Sequence, residues 1–180
     1  MTSCSEHSSG FRSLLATDEV VIGLGSNLGD RRQNIVRACR ELGRHMPVNV
    51  VSSLYSTTPV GYADQPDFLN AVLIGRWSGS PEDLLACMQE IERSGGRVRG
   101  DGPRFGPRTL DLDILLFGDC ILESDILTIP HPRMYQRRFA LDPMIEVRPD
   151  IRDPVSGRSF ASFADELPAA GIYEYGSAPI

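Results

Sequence analysis

The stretch RFGPRTLDLDILLFG, residues 104–118, predicts a largely apolar strand that carries two carboxylates. Apolar and polar residues alternate through it, which is the period-2 pattern of a β-strand. One face of this strand is predicted to be apolar: Leu110, Leu112, Ile114 and Leu116. The other face then holds Thr109, Asp111 and Asp113, with the two aspartate Cα atoms roughly 6–7 Å apart at ~3.3 Å of rise per residue.

Two carboxylates at this spacing repel each other unless a cation lies between them. Mg²⁺ suits such a pair, since it takes one or two protein carboxylates and completes its shell with water and phosphate oxygens. Two Mg²⁺ ions held by Asp111 and Asp113 are therefore predicted, placed to clamp a phosphoryl group. A pair of solvated carboxylates remains the alternative for the sequence DLD taken alone.

The basic residues are unevenly distributed, and all 18 of them are arginine. Five lie in a stretch of sixteen residues that holds a single acid: Arg93, Arg97, Arg99, Arg104 and Arg108. Residues 94–107 also contain five glycines and two prolines, a composition typical of a mobile loop. Arginine binds phosphate through paired N–H donors, so this loop is predicted to close over a phosphate-bearing substrate. A floppy surface connection is the competing interpretation.

Composition bounds the class of protein. A chain of 180 residues with 41% hydrophobic and 23% charged residues is typical of one globular domain. The net charge of −6 disfavours a general nucleic-acid-binding protein. No apolar run approaches the ~20 residues that cross a bilayer, and the N-terminus lacks the pattern of a signal peptide. We therefore expect a cytoplasmic protein with no nucleic-acid or membrane partner, in which residues 1–18 are a flexible extension of a single domain, 19–180. A monomer is expected, with an oligomer left open as the alternative. Cys39 and Cys87 fall on apolar helix faces and are expected to be reduced thiols.

The periodic segments follow one another in the order βαββαβ. Strands are predicted at 19–26, 48–57, 70–77 and across the aspartate pair, and helices are predicted after the capping residues Asp30 and Ser80. This order predicts an α+β, ferredoxin-like core with an antiparallel sheet, its helices on one face and the other face free for a site. An extra helix is predicted at 133–146 and a short one at 159–167.

Three further features are ambiguous from the residues alone. GLGSNLGD, residues 23–30, has Leu28 where a dinucleotide fingerprint needs its third glycine, so a tight strand-to-helix turn is favoured. His131, between two prolines, is either structural or a phosphate contact. Phe68 and Phe139 lie near polar residues, which leaves both a core role and stacking on a flat ligand open.

Several stretches together resemble one enzyme family, and they occur in its order: GSNLGD, YSTTPVGYADQPDFLNAV, IERSGGRVR, RFGPRTLDLDILLFG and IPHPRMYQRRF. Across about residues 20–145 the chain resembles the 6-hydroxymethyl-7,8-dihydropterin pyrophosphokinases (HPPK) of folate biosynthesis. The resemblance implies a ferredoxin-like core and transfer of the β,γ-diphosphate of ATP to the pterin hydroxymethyl oxygen, with release of AMP. Phe105, Ile126 and Pro132 depart from the commonest family pattern.

The resemblance also implies the site residues. Two Mg²⁺ would bind at Asp111 and Asp113, and Arg97, Arg99 and Arg108 would complete the catalytic set. The implied ATP contacts are Gln89, Glu92, Arg97, Arg99, Arg108, Ile114, Thr128, His131 and Arg137. The implied pterin pocket consists of Thr57, Thr58, Val60, Phe68, Asn70 and Phe139, with Asn70 on the ring edge and the two phenylalanines on the ring faces.

Two other classes of protein share the predicted topology. A two-metal nucleotidyl transferase or cyclase would also need paired aspartates, but it has no use for the YSTTPVGYADQPDF block. A ferredoxin-like RNA-binding module would need basic charge and exposed aromatic residues on its central strands. The acidic balance and the aspartates on the open face disfavour the second class.

Overall fold

One antiparallel sheet of six strands organises the chain, of which the structure, a computed structural model, describes residues 15–59, 65–96, 106–169 and 171–178. The elements are β1 (Glu19–Ser26), α1 (Arg31–His45), β2 (Val48–Val51), β3 (Leu54–Thr57), β4 (Phe68–Arg76), α2 (Pro81–Ser94), β5 (Asp111–Phe117), β6 (Leu122–Glu123), β7 (Thr128–Ile129), a 3₁₀ turn (Met134–Gln136), α3 (Arg138–Val147), α4 (Phe160–Asp165) and β8 (Ile172–Gly176). The strand order is β5-β1-β4-β3-β8, β2 also pairs with β4, and β6 and β7 form a separate ribbon. The predicted α+β class with an antiparallel sheet is confirmed.

The two long helices begin where the sequence predicts. The Asp30 side chain caps α1 by accepting the N–H of Gln33 at 3.0 Å. Ser80 and Asp83 form a capping box at the start of α2. Both helices pack their apolar stripes on the same face of the sheet, against alternate residues of β1: Val20, Ile22 and Leu24.

The prediction that the two helices of the βαββαβ unit lie on one face is met by α1 and α2, but the opposite face is not wholly free, because α3 and α4 pack on it. A second apolar cluster fills the opposite face, where Val21, Val72 and Ile74 meet Leu141 of α3 and Phe160 of α4. These sheet residues alternate with those that face α1, so both sides of β1 and β4 are apolar at this end of the sheet. The open part of that face is therefore restricted to the other end of the strands, next to α3.

The strand predicted at 48–57 is two strands, because Ser52 interrupts it. The Ser52 hydroxyl accepts the N–H of Val72 at 2.9 Å and donates to the Ser53 carbonyl at 2.8 Å. A side chain thus replaces one rung of the backbone ladder, and the chain turns before β3 resumes pairing with β4.

The predicted alternation along β5 breaks at Leu115. Ile22 pairs with Ile114 and Val21 with Leu116, so Leu115 is an extra residue in the ladder, a β-bulge. Leu116 therefore faces α3 and α4 rather than the side of Leu112 and Ile114, which corrects the prediction of a single apolar face.

Some structure lies where none was predicted. Residues 15–18, assigned above to a flexible extension, pack on the sheet: Leu15 is buried and the Asp18 carbonyl accepts the N–H of Trp77 at 2.8 Å. Strand β8, near the C-terminus, extends the sheet beyond β3. Cys39 and Cys87 are free thiols as expected, whereas Cys120 takes part in a disulfide. Among the described residues there is no helix with the length and apolar character that crossing a bilayer requires.

Candidate active site

A cavity of about 420 Å³ opens on the sheet face that α3 covers only in part. Residues from several parts of the chain line it, among them Gly25 of β1, Thr57 of β3, Phe68 and Asn70 of β4, Asp111 and Asp113 of β5, and His131, Arg137 and Phe139 near the start of α3. The pairing register explains why they meet, since Gly25 is the partner of Asn70 on β4 and of Asp111 on β5. An amide and a carboxylate therefore stand in one row across three strands, with a bare glycine between them.

The glycine keeps that row open. A Cβ at Gly25 would lie 3.3 Å from Asn70 Oδ1 and 3.8 Å from both Asp111 Cβ and the Phe68 ring. The Asn70 amide nitrogen donates to Thr57 Oγ1 at 2.8 Å, which fixes the amide plane in a buried position. The surface between Phe68, Asn70 and Asp111 can thus accept a flat group that reaches the carboxylates.

The aspartate pair lies among arginines. Arg108 Nη1 is 2.6 Å from Asp111 Oδ2. Burial, followed by the charge of Asp111, raises the pKa of Asp113, and the nearby positive groups, including Arg137, oppose that rise in part. Burial and the neighbouring arginines lower the pKa of His131, which favours its neutral form. The two negative charges thus destabilise each other in the ligand-free protein, and a bound cation would reduce that repulsion.

The donor set of this pair fits magnesium. Within the described residues no third His, Cys, Asp or Glu joins Asp111 and Asp113 in a cluster that could hold a metal. None of the residues that the structure describes donates a hydrogen bond to the Asp113 carboxylate. A site with two carboxylates and room for further oxygen ligands is typical of Mg²⁺ with phosphates, and it lacks the three or four protein ligands of zinc.

Buried polar contacts hold the strand that carries the aspartates. Glu92 of α2 is only 2% exposed, and its Oε1 accepts the N–H of Leu112 at 2.9 Å, between the two aspartates. Further along β5, at the bulge, the Leu115 carbonyl accepts the N–H of His131 at 3.0 Å. The bulge therefore places His131 beside Asp113, consistent with the concentration of such irregularities near active sites.

A smaller cavity of about 280 Å³ adjoins the first. The two share Asp113, Ile126 and His131, and the second also reaches Ile114 and Thr128. Ile126 is 70% exposed at their common edge. Together the two cavities reach from Asn70, past Asp113, to Thr128.

The predicted site residues within the described ranges all line one of these two cavities. The larger holds Thr57, Thr58, Phe68, Asn70, Gln89, Glu92, Arg108, Asp111, Asp113, His131, Arg137 and Phe139, and the smaller holds Asp113, Ile114, Thr128 and His131. Val60, Arg97 and Arg99, together with most of the predicted arginine loop, lie outside the described residues. Their roles stay predictions, as do the individual ligand contacts of the others.

One organising residue was not predicted. Asn27 is 1% exposed in the turn GLGSNLGD, where its Nδ2 donates to Gln65 Oε1 at 2.9 Å and its Oδ1 accepts the N–H of Arg108 at 2.7 Å. It therefore joins the segment before β4 to the segment before β5. The favoured strand-to-helix turn is present, but the residue that links the two sides of the cavity is an asparagine rather than a glycine. The sequence did contain a signal for this role: Asn27 is a polar residue next to a strand, and the cap of α1 is made by Asp30 instead.

Comparison with known proteins tests the family predicted from the sequence. A family model described as 7,8-dihydro-6-hydroxymethylpterin-pyrophosphokinase (HPPK) matches residues 21–149, most of the chain. The chain belongs to the HPPK family. The family predicted from the sequence is thereby confirmed.

Two bacterial HPPK relatives are named 2-amino-4-hydroxy-6-hydroxymethyldihydropteridine pyrophosphokinase, which supports the predicted enzyme class. The Bacillus subtilis protein is 48% identical over 128 residues, 70% of this chain and 75% of that protein. The Pseudomonas aeruginosa protein is 43% identical over 155 residues, 85% of this chain and 94% of that protein.

Some relatives are much longer than this chain, which matches only part of their length. The folic acid synthesis protein of Schizosaccharomyces pombe is 40% identical over 158 residues, but the chain spans only 21% of its length. A solved structure of Plasmodium falciparum HPPK-DHPS, a triple mutant with STZ-DHP, aligns with a TM-score of 0.65 at 15% identity, over 84% of this chain and 43% of that one. At that identity the likeness shows the fold alone.

Proposed function

We propose that this HPPK-family chain transfers the β,γ-diphosphate of ATP to the hydroxymethyl group of 6-hydroxymethyl-7,8-dihydropterin, as a step in folate biosynthesis. The observation that carries the proposal is the row formed by Asn70, Gly25 and Asp111 across three strands. The row sets Asn70, a hydrogen-bonding group for the edge of a flat ring, two strand spacings from Asp111, which belongs to a carboxylate pair that suits magnesium and phosphate. A pyrophosphokinase for a pterin needs these two features side by side.

The pterin would lie on the glycine, with Asn70 at the ring edge and Phe68 and Phe139 against its faces. Phe139 already has a cationic neighbour, since the Arg137 guanidinium carbon lies 5.3 Å from its ring centroid. Such a pocket would aim the hydroxymethyl group at Asp111 and Asp113. Orientation of this kind can supply much of the rate enhancement of a transfer between two bound substrates.

The phosphates of ATP would lie along the aspartates and arginines. Attack of the hydroxymethyl oxygen on the β-phosphorus forms one P–O bond and breaks the bond from that phosphorus to the α–β bridging oxygen, which leaves with AMP, while the hydroxyl proton is released. Two Mg²⁺ ions held by Asp111 and Asp113 would neutralise phosphate charge. Arg108 and Arg137 would bind phosphate oxygens, and the predicted loop arginines, Arg97 and Arg99, would add donors and exclude water.

The finer expectations from the sequence belong to the same proposal. The order β5-β1-β4-β3 places the fourth, first, third and second strands of the βαββαβ unit side by side, which supports a ferredoxin-like core. The protein is proposed to act as a cytoplasmic monomer on ATP and the pterin, with Gln89, Glu92, Ile114, Thr128 and His131 on the nucleotide side and Thr57, Thr58 and Val60 on the pterin side.

The deciding experiment follows AMP formation from ATP and Mg²⁺ with and without 6-hydroxymethyl-7,8-dihydropterin. We expect AMP in equal amount to the pterin diphosphate, and none with 6-methyl-7,8-dihydropterin, which lacks the attacking oxygen. Release of pyrophosphate from a nucleotide, or AMP that does not depend on the pterin, would instead favour a nucleotidyl transferase, a cyclase or an ATP hydrolase.

Replacing Gly25 with alanine is expected to raise the KM for the pterin about tenfold. The added methyl group would fill the gap beside Asn70 and Asp111, and overpacking of this kind costs roughly 1–3 kcal/mol. The KM for each substrate is measured with the other at saturation, and the KM for ATP should change much less. Gly43→Ala is the matched control, because Gly43 is an exposed residue of α1 and its would-be Cβ lies 3.8 Å from the Val48 side chain. Parental kinetics and a small gain in stability are expected. Equal pterin affinity in the two variants would contradict the placement of the ring.

A further inference from the structure

Strand β8 lies outside the segment that matches the family model, which ends at residue 149. It pairs antiparallel with β3, with Ile172 opposite Thr57 and Tyr173 opposite Ser56. Without β8, β3 would be the edge of the sheet, with one row of backbone groups unpaired. Thr57 and Thr58 both line the larger cavity, so this pairing reaches the candidate pterin pocket.

The ladder between the two segments continues past the strand ends. The N–H of Thr58 donates to the carbonyl of Gly171 at 3.2 Å. Thr57 in turn accepts the Asn70 amide through its hydroxyl. Residues 171–176 are therefore in contact with Thr57, and Thr57 is in contact with the Asn70 amide beside Gly25.

Strand β8 also meets the other wall of the cavity. Tyr173 Oη lies 3.4 Å from Asp67 Oδ2, and Asp67 directly precedes Phe68. The Asp67 carbonyl is held from the opposite side, since it accepts Arg31 Nη1 at 2.7 Å. One short strand thus contacts the chain where β3 ends and again where β4 begins.

We infer that β8 is a positioning element for the pterin pocket, with Gly171 and Tyr173 as its positioning residues. By holding Thr58 and Asp67 it keeps Thr57, Asn70 and Phe68 in place before the ring arrives. If only a fraction of the protein molecules have the pocket in its binding conformation, the apparent affinity for the ligand falls in proportion to that fraction. The inference rests on the proposed function, and it assigns a role in substrate affinity to residues beyond the family match.

Gly171 provides the means to test it. Its φ is +80°, a conformation that residues with a side chain rarely adopt, and a Cβ there would lie 2.8 Å from Thr58 Oγ1. Gly171→Ala must therefore displace either this segment or the Thr58 side chain, which lines the cavity. Gly176, at the other end of β8, has no described heavy atom within 4 Å of its would-be Cβ and no left-handed φ, so Gly176→Ala is a matched control on the same strand.

Steady-state kinetics of the full chain separate the outcomes. For Gly171→Ala we expect the KM for the pterin to rise about tenfold because the pocket is less often in its binding conformation, with kcat and the KM for ATP within about twofold of the parent. Gly176→Ala should match the parent in all three. Parental pterin KM in a folded Gly171→Ala protein, or equal losses for both substrates, would overturn the inference.

Tyr173→Phe keeps the experiment decisive if Gly171→Ala does not fold. Tyr173 is 55% exposed, so loss of its hydroxyl should leave the thermal midpoint unchanged while the pterin KM rises about two- to threefold. An unchanged pterin KM in that case overturns the inference. Failure of the proposed function would look different, because the parent itself would then form no AMP in response to the pterin.

Discussion

Asp113→Asn is expected to lower pterin-dependent AMP formation about a thousandfold while leaving the ligand-free protein at least as stable as the parent. Loss of a carboxylate that binds magnesium removes several kcal/mol of charge stabilisation from the transfer, and each 1.36 kcal/mol is a factor of ten in rate. The fold should not suffer, because the charge of Asp113 is unfavourable where it lies. Burial and Asp111 raise its pKa, so a neutral amide of the same shape removes a repulsion.

Turnover at saturating Mg²⁺ and thermal unfolding without ligands measure the two halves of this prediction. Asp165→Asn, on the exposed end of α4, is a control in which one aspartate charge is lost away from the cavity. Turnover within a fewfold of the parent would exclude Asp113 as a magnesium ligand. A drop of several degrees in the unfolding midpoint would show instead that the carboxylate holds β5 in place.

Arg108→Ala is expected to act on stability in the opposite direction. Turnover should fall about a hundredfold, the size of effect seen when one donor to developing negative charge is removed. The ligand-free protein should also lose about 1 kcal/mol, because Asp111 loses the guanidinium that lies 2.6 Å away and then faces Asp113 with one cation fewer.

Kinetics and urea unfolding check this second variant against two others. Arg108→Lys keeps the charge without the paired donors and should recover most of the stability and only part of the rate. Arg76→Ala breaks an exposed ion pair with Asp18 at 3.4 Å and should match the parent in both. If Arg108→Ala were as active as Arg76→Ala, Arg108 would have no role in binding phosphate.

The contrast between the two variants separates a functional charge from a structural one. The charge of Asp113 destabilises the ligand-free fold, and it is expected to become favourable only when a cation and phosphates are bound. Arg108 has a use in both states, first as the partner of Asp111 and then as a phosphate donor. If both variants lose activity while Asp113→Asn keeps or gains stability and Arg108→Ala loses it, the loss of activity cannot come from a general disruption of β5.

Several features of the site could be predicted from the chain itself. The alternation around Asp111 and Asp113 placed both carboxylates on one face, and the capping residues Asp30 and Ser80 marked both long helices. The ligand roles of Phe68 and Phe139 came from the family resemblance, since no local pattern separates a stacking phenylalanine from a core one. Leu116, predicted to share a face with Leu112, lies on the other face.

Caps, periodicity and motifs act over a few residues, so the helices, most of the strands and the family can be predicted from the chain alone. Three features of the site emerge only in the folded protein: the row of Asn70, Gly25 and Asp111, the bulge at Leu115 beside His131, and the pairing of β8 with the edge at Thr57. Each of these depends on the register between strands far apart in the chain. Register is set by the packing of both sheet faces at once, and no local stretch of residues contains that information.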